Sequence, residues 1–170
     1  AGSIKCAIIE VRTDDNNSTI ADGCKEIANL SSKIEVVATV SVTEETEAGA
    51  QEAAENLFVT NPDVQLIICT TGTLAKGVDA YYTSMNSPIS DLSKIGIFST
   101  GADMTLFELL AASANNESAV RGISSYAPMS VGAQILTNVV LNLSNGITGD
   151  QNFEADPQYL LTTDNIASYI

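Results

Sequence analysis

The stretch Asn61-Pro62-Asp63-Val64-Gln65-Leu66-Ile67-Ile68-Cys69-Thr70-Thr71-Gly72-Thr73 decides how this chain is read. Asn61-Pro62-Asp63 stops a helix, because proline cannot continue one and the flanking polar residues favour turns. The run 64–70 is short, apolar and rich in β-branched residues, which suits a strand buried on both faces. Thr71 or Thr73 then caps a helix predicted over 73–85. Helix end, buried strand, hydroxyl-rich turn and new helix form one unit, and variants of it recur in both directions.

Working outward, strands are predicted over 4–11, 34–40, 64–70, 94–99, 119–124 and 159–162. Helices are predicted over 18–30, 45–60, 73–85, 104–113 and 130–143, with Pro128 near the start of the last and Asn145-Gly146 closing it. This alternation predicts an α/β fold: a three-layer sandwich with a mainly parallel sheet of about six strands, of Rossmann or flavodoxin-like topology. No repeat or low-complexity tract interrupts it.

The 170 residues carry 21 acidic against 7 basic side chains, a formal charge of -14, with no histidine and no tryptophan. Seven scattered cations form no face to replace phosphate counterions, so no nucleic-acid partner is expected. Without histidine there is no Ser/His/Asp or Cys/His nucleophile system and no imidazole metal site. Cys6, Cys24 and Cys69 lie in or beside apolar runs with no CxxC spacing, which predicts buried, reduced thiols. No apolar run approaches a membrane span, and Ala1-Gly2-Ser3 reads as a cloning scar rather than a signal peptide, so the natural N-terminus is expected to lie outside the chain.

A parallel sheet takes its ligands at the carboxyl ends of its strands. The segments there, 12–16, 42–44, 70–73, 100–103 and 125–127, are rich in Thr, Ser, Asp and Asn. They offer hydrogen bonds but few nucleophile-plus-base pairs, which suits holding a small polar ligand. The 130–143 helix, opened by Ser130 and closed by Leu143, carries Val131, Ile135, Val139 and Leu143 on one stripe that must be buried on something. A polar linker over 146–157 then returns to one more strand, the pattern of a crossover into a second lobe.

This order of motifs resembles the C-terminal lobe of type I periplasmic binding proteins, the ribose- and galactose-binding receptors of ABC transporters, which are related to the effector domains of lactose-repressor-type regulators. The resemblance runs from Ile4 to Ile170. It is carried by the Asn61 to Cys69 strand with Ala75 and Gly77 after it, by Asp91 to Gly101, by Val120 to Ile123 with Pro128 and Gly132, and by the Leu161-Thr162-Thr163-Asp164-Asn165-Ile166 ending. It implies 1–3 as the scar, 4–127 as the lobe, 128–145 as a crossover helix that docks on the other lobe, and 146–170 as linker and returning strand. It also implies an extracytoplasmic location, periplasmic or tethered to the cell surface by a lipid, and an ABC permease and an N-terminal lobe as partners. With that lobe expected to be absent, two copies are predicted to form a homodimer through the 130–143 helix.

The family commonly holds sugars with an Arg, an Asn, an Asp and a hinge amide; the matching positions here are Ile20, Thr71, Thr100 and Tyr126. Three readings follow: the ligand is less polar or differently shaped than ribose, or Arg12, Asp14 and Asn16 supply the polar contacts, or affinity has been lost. The candidate ligand set is Arg12, Asp14, Asn16, Ile20, Thr71, Gly72, Thr100 and Tyr126. Competing structural readings are an Arg12 salt bridge to Asp14 or Asp15, capping of the first helix through Ser18, a solvated acidic helix face at Glu44, Glu45, Glu47, Glu52 and Glu55, and packing of Tyr81 and Tyr82. No metal site, cofactor or catalytic residue is expected. The rivals to a sugar receptor are an effector-sensing domain, an enzyme using Cys69 or Thr100 with Asp103, and a scaffold that binds nothing.

Overall fold

The structure, a computed structural model, describes residues 2–85, 87–101, 103–125, 140–141, 144–146 and 159–168. In chain order the elements are β1 (Ile4–Val11), α1 (Asp15–Lys25), α2 (Ile27–Leu30), β2 (Ile34–Val42), α3 (Glu47–Thr60), β3 (Leu66–Cys69), α4 (Gly72–Thr83), β4 (Gly96–Thr100), α5 (Met104–Ala112), β5 (Val120–Ser125) and β6 (Tyr159–Leu161). They form one six-stranded sheet in the order β2-β1-β3-β4-β5-β6. β1 to β5 run parallel, and β6 joins β5 antiparallel with Ile123 opposite Leu161.

Crossovers between parallel strands are right-handed. Because β2 lies on one side of β1 and β3 to β5 on the other, that rule sends the helices to opposite faces. α1 packs on β1 and α2 on β2, while α3, α4 and α5 pack against one another and cover the second face. β1 lies inside the sheet between β2 and β3, and Cys6 to Val11 are buried without a break. Its side chains divide by parity: Ala7, Ile9 and Val11 enter the main core with Leu57, Ile67, Leu74 and Ile97, whereas Cys6, Ile8 and Glu10 face α1. An apolar groove of about 360 Å³, lined by Ile34, Leu66, Ile68, Phe98 and Leu160 among others, lies on the α1 and α2 face among the described residues.

Several local expectations change. The 18–30 helix starts earlier and is divided in two: the Asp14 side chain accepts from the Asn17 N–H at 2.7 Å, so Asp14 and not Ser18 caps α1, and the chain re-forms a short turn after Glu26. β3 begins at Leu66 because the Val64 N–H is turned back to the Asn61 carbonyl at 3.2 Å. Tyr81 and Tyr82 do pack, edge to face with centroids 5.0 Å apart, and Tyr82 is 1% exposed. Cys6 and Cys69 are buried and Cys24 half-buried, all three free; burial pushes the Cys6 thiol up to about 11. The 130–143 helix, the start of the 128–145 segment and Tyr126 lie outside the described residues, apart from Val140 and Leu141, which are helical and exposed, and the exposed Ser144 and Asn145.

The Tyr82 hydroxyl is buried and has no hydrogen-bond partner among the described residues. An unsatisfied hydroxyl in a core is a net cost, and removing it leaves the ring's packing in place. Tyr82→Phe is therefore expected to raise stability by about 1 kcal/mol, read as a higher urea midpoint with an unchanged slope.

Candidate ligand-binding cleft

The chain turns one way from β1 to β2 and the other way from β1 to the later strands, so the sheet has its switch point between β1 and β3. Crevices form outside the carboxyl ends of strands at such points. A cleft of about 300 Å³ opens there, lined by Asn16, Asn17, Ile20, Glu45, Thr70, Thr71, Gly72, Thr73, Thr100, Gly101 and Asp103. A larger groove of about 730 Å³ lies at the opposite, amino edge among residues that include Lys5, Asp63 and Lys94. The fold favours the smaller one, because it lies at the switch point on the carboxyl edge, where the capped starts of α1, α3, α4 and α5 gather.

The floor of the cleft is tied together by threonines. Buried Thr70 takes the Val11 N–H on its hydroxyl oxygen at 3.2 Å and donates its own N–H to the Ile9 carbonyl at 3.1 Å, joining the ends of β1 and β3. Thr100 Oγ1 donates to the Thr70 carbonyl at 2.6 Å, joining β3 and β4. The Thr100 proton is thereby used, and this side chain is left as an acceptor. Gly101 then turns the chain with φ of +74°, a left-handed conformation that glycine adopts without a Cβ penalty, and its N–H reaches the Ser124 carbonyl at 2.9 Å.

Four helices start around this edge, each capped by a side chain. Asp14 caps α1, Thr46 caps α3, Thr71 caps α4 by accepting from the Leu74 N–H at 3.3 Å, and Asp103 caps α5 by accepting from the Leu106 N–H at 2.8 Å. Asp103 also accepts from Lys76 Nζ at 2.8 Å, and Lys76 reaches Glu47 at 3.4 Å, so one lysine joins the starts of α3 and α5 from within α4. Lys76 beside it holds the Asp103 carboxyl below the usual carboxylate range, against the opposing effect of burial.

Of the residues singled out from sequence, Asn16, Ile20, Thr71, Gly72 and Thr100 line the cleft. Asp14 is beside it but committed to its cap. Arg12 points elsewhere. Its guanidinium meets buried Glu10 at 2.8 Å and Asp22 at 2.7 Å, not Asp14 or Asp15. Residues two apart on a strand share a face, so Arg12 lies with Glu10 under α1, which brings Asp22 and Lys25 to the same place. Glu45, placed on a solvated helix face from sequence, lines the cleft, as does Asp103. Asp103 belongs to the 100–103 segment that the sequence placed at the ligand edge, and it caps α5 three residues after β4 ends. Among the described residues no cluster suited to a metal ion occurs, and no helix is long and apolar enough to cross a membrane.

The fold is that of one lobe of a type I periplasmic binding protein. Similar solved structures include a sugar-binding protein of a sugar ABC transporter from Bacillus halodurans, with TM-score 0.79 and 20% identity over 99% of this chain and 58% of that one. The arabinose-binding protein AraP from Geobacillus stearothermophilus gives 0.77 at 17% identity, covering 99% and 57%. An ABC transporter periplasmic solute-binding protein from Actinobacillus succinogenes 130z with bound D-allose gives 0.77 at 15% identity, covering 98% and 56%. The chain thus spans little more than half the length of each. No family model and no curated protein matches the sequence.

Proposed function

We propose that this chain is the ligand-binding lobe of an extracytoplasmic solute receptor of an ABC transporter, and that it takes a sugar or sugar-like small molecule at the cleft between β1, β3 and β4. The observation that carries this is the placement of the cleft: the switch point of a binding-protein fold, lined by amide, hydroxyl and carboxylate groups with Ile20 to lie against a sugar's apolar face. A ligand held here and by a facing lobe shifts the population from open to closed, because it gains both sets of contacts only when the lobes meet. The closed form is the one an ABC permease engages.

Thermal shift and titration calorimetry with D-allose, D-arabinose and myo-inositol, ligands named with similar structures, test this. A sugar at a hundred times its Kd stabilises the protein by about 2.7 kcal/mol, so at least one of them is expected to raise the melting temperature. Silence across the whole panel favours a second reading, a lobe without a ligand, which the commitment of Thr71 to its cap and of the Thr100 proton to Thr70 supports.

A further inference from the structure

We propose that the apolar groove on the α1 and α2 face is the docking site for the 130–143 segment of a second copy of this chain, the two copies exchanging these segments reciprocally. The dimer expected from sequence thereby gains its receiving surface. The contact lies on the face of the sheet, so it holds or fails independently of the receptor reading.

Parallel strands are normally buried on both faces. Here α3, α4 and α5 cover one face, while on the other α1 and α2 pack on β1 and β2. That leaves Leu66 and Ile68 of β3, Phe98 of β4 and Leu160 of β6 along an open groove. Phe98 lies against Gly122 of β5, where a Cβ would fall 2.8 Å from its ring. β3, β4, β5 and β6 are successive neighbours, so their face spans about 14 Å, and one helix about 10–12 Å across fills it.

Charge selects the occupant. At a formal charge of -14, two copies repel wherever each brings its acids. No charged side chain lines the groove among the described residues. The sequence from Gly122 to Gly149 likewise holds no Asp, Glu, Lys or Arg, and it contains the stripe Val131, Ile135, Val139 and Leu143. Its helical residues Val140 and Leu141 are 64% and 52% exposed, while Leu160 in the groove of the same copy is 59% exposed. One copy thus presents both apolar surfaces without joining them, and a two-fold pairing joins each to its counterpart on the other copy.

Native mass spectrometry and sedimentation at micromolar concentration test this on the wild-type chain and on Val140→Glu and Leu160→Lys, two exposed positions whose change leaves the core intact. The expected result is a wild-type mass of twice 17.8 kDa, with dimer affinity at least tenfold weaker in each variant alone. An equal mixture of the two variants is expected to dimerise again, because one pairing is then untouched and the other sets opposite charges together. Variants that fail to recombine overturn the groove as the receiving surface, since helix then meets helix. A dimer that survives both changes overturns it too. A single-chain wild-type mass overturns the exchange: a fall in melting temperature in both variants would then seat the segment on its own groove, and unchanged melting would leave both surfaces to a different chain.

Discussion

Gly77→Ala is expected to destabilise the protein by about 3 kcal/mol or more, the top of the range for overpacking a core. Gly77 sits in α4 where it crosses α3, and a Cβ built there falls 2.2 Å from the Glu47 carbonyl oxygen and 2.8 Å from the Ala50 Cβ. The first of these neighbours is backbone, so no side-chain rotation relieves the clash. The two helices must part, and Ala50, Ala53 and Leu57, all buried along α3, lose contact with α4. For a domain of this size the melting temperature is expected to fall by about 6–12 °C. Gly23→Ala is the matched control: it also lies in a helix, nothing stands within 4 Å of the added carbon, and alanine's better helix propensity makes a small gain the expected result. Equal stability of the two variants would show that α3 and α4 do not cross at this distance. The same crossing positions Glu47, and through it Lys76, at the cleft.

Glu10 gives the second large effect, and its sign depends on pH. Burial alone would raise its pKa, but hydrogen bonds from Arg12, Ser41 and Lys25 outweigh burial and lower it from 4.5 to about 2. A carboxylate depressed in the folded state stabilises it above the unfolded pKa, and the contribution is lost as pH falls through the folded value. Here that window runs from about 4.5 down to about 2, and the shift corresponds to about 3 kcal/mol. Glu10→Gln is therefore expected to be less stable than wild type by about that amount at pH 7. The gap should close progressively below pH 4.5 and vanish near pH 2. Measuring the difference between the two proteins by urea unfolding across this range cancels the other carboxylates. A gap that stays constant with pH would mean that the loss comes from packing and not from the ion pairs. Arg12 and Lys25 are each more than 30% exposed and regain water in the variant, so the effect is read on Glu10 and not on stranded cations.

Both effects depend in part on contacts between residues far apart in the chain, Gly77 with Glu47 and Glu10 with Ser41 and Lys25, which marks where sequence reasoning stopped. The alternation of β-branched runs with helical periods was enough to place all six strands, because hydrophobic period is a property of a few consecutive residues. β1 was read at its observed bounds, Ile4–Val11, since every residue from Cys6 onward is buried and the signal is unbroken. Boundaries moved where a single capping bond decided them, as at Asp14 in place of Ser18. Partners were less legible: Arg12 was matched to acids beside it in sequence, whereas strand parity and the return of α1 gave it Glu10 and Asp22.

The sequence by itself determined the class of fold, the edge at which a ligand is to be sought, and, of the eight residues singled out there, the five that line the cleft, Asn16, Ile20, Thr71, Gly72 and Thr100. Only the tertiary structure decided which charges are free. It withdrew Arg12 and Lys76 into ion pairs, spent the Thr100 proton on Thr70, and brought Glu45 and Asp103 into one cleft from loops 58 positions apart. The physical reason is that local pattern reports how a segment pays its own burial, while hydrogen-bond and charge partners are chosen by strand order and helix packing, which join residues such as Val11 and Thr70 across 59 positions.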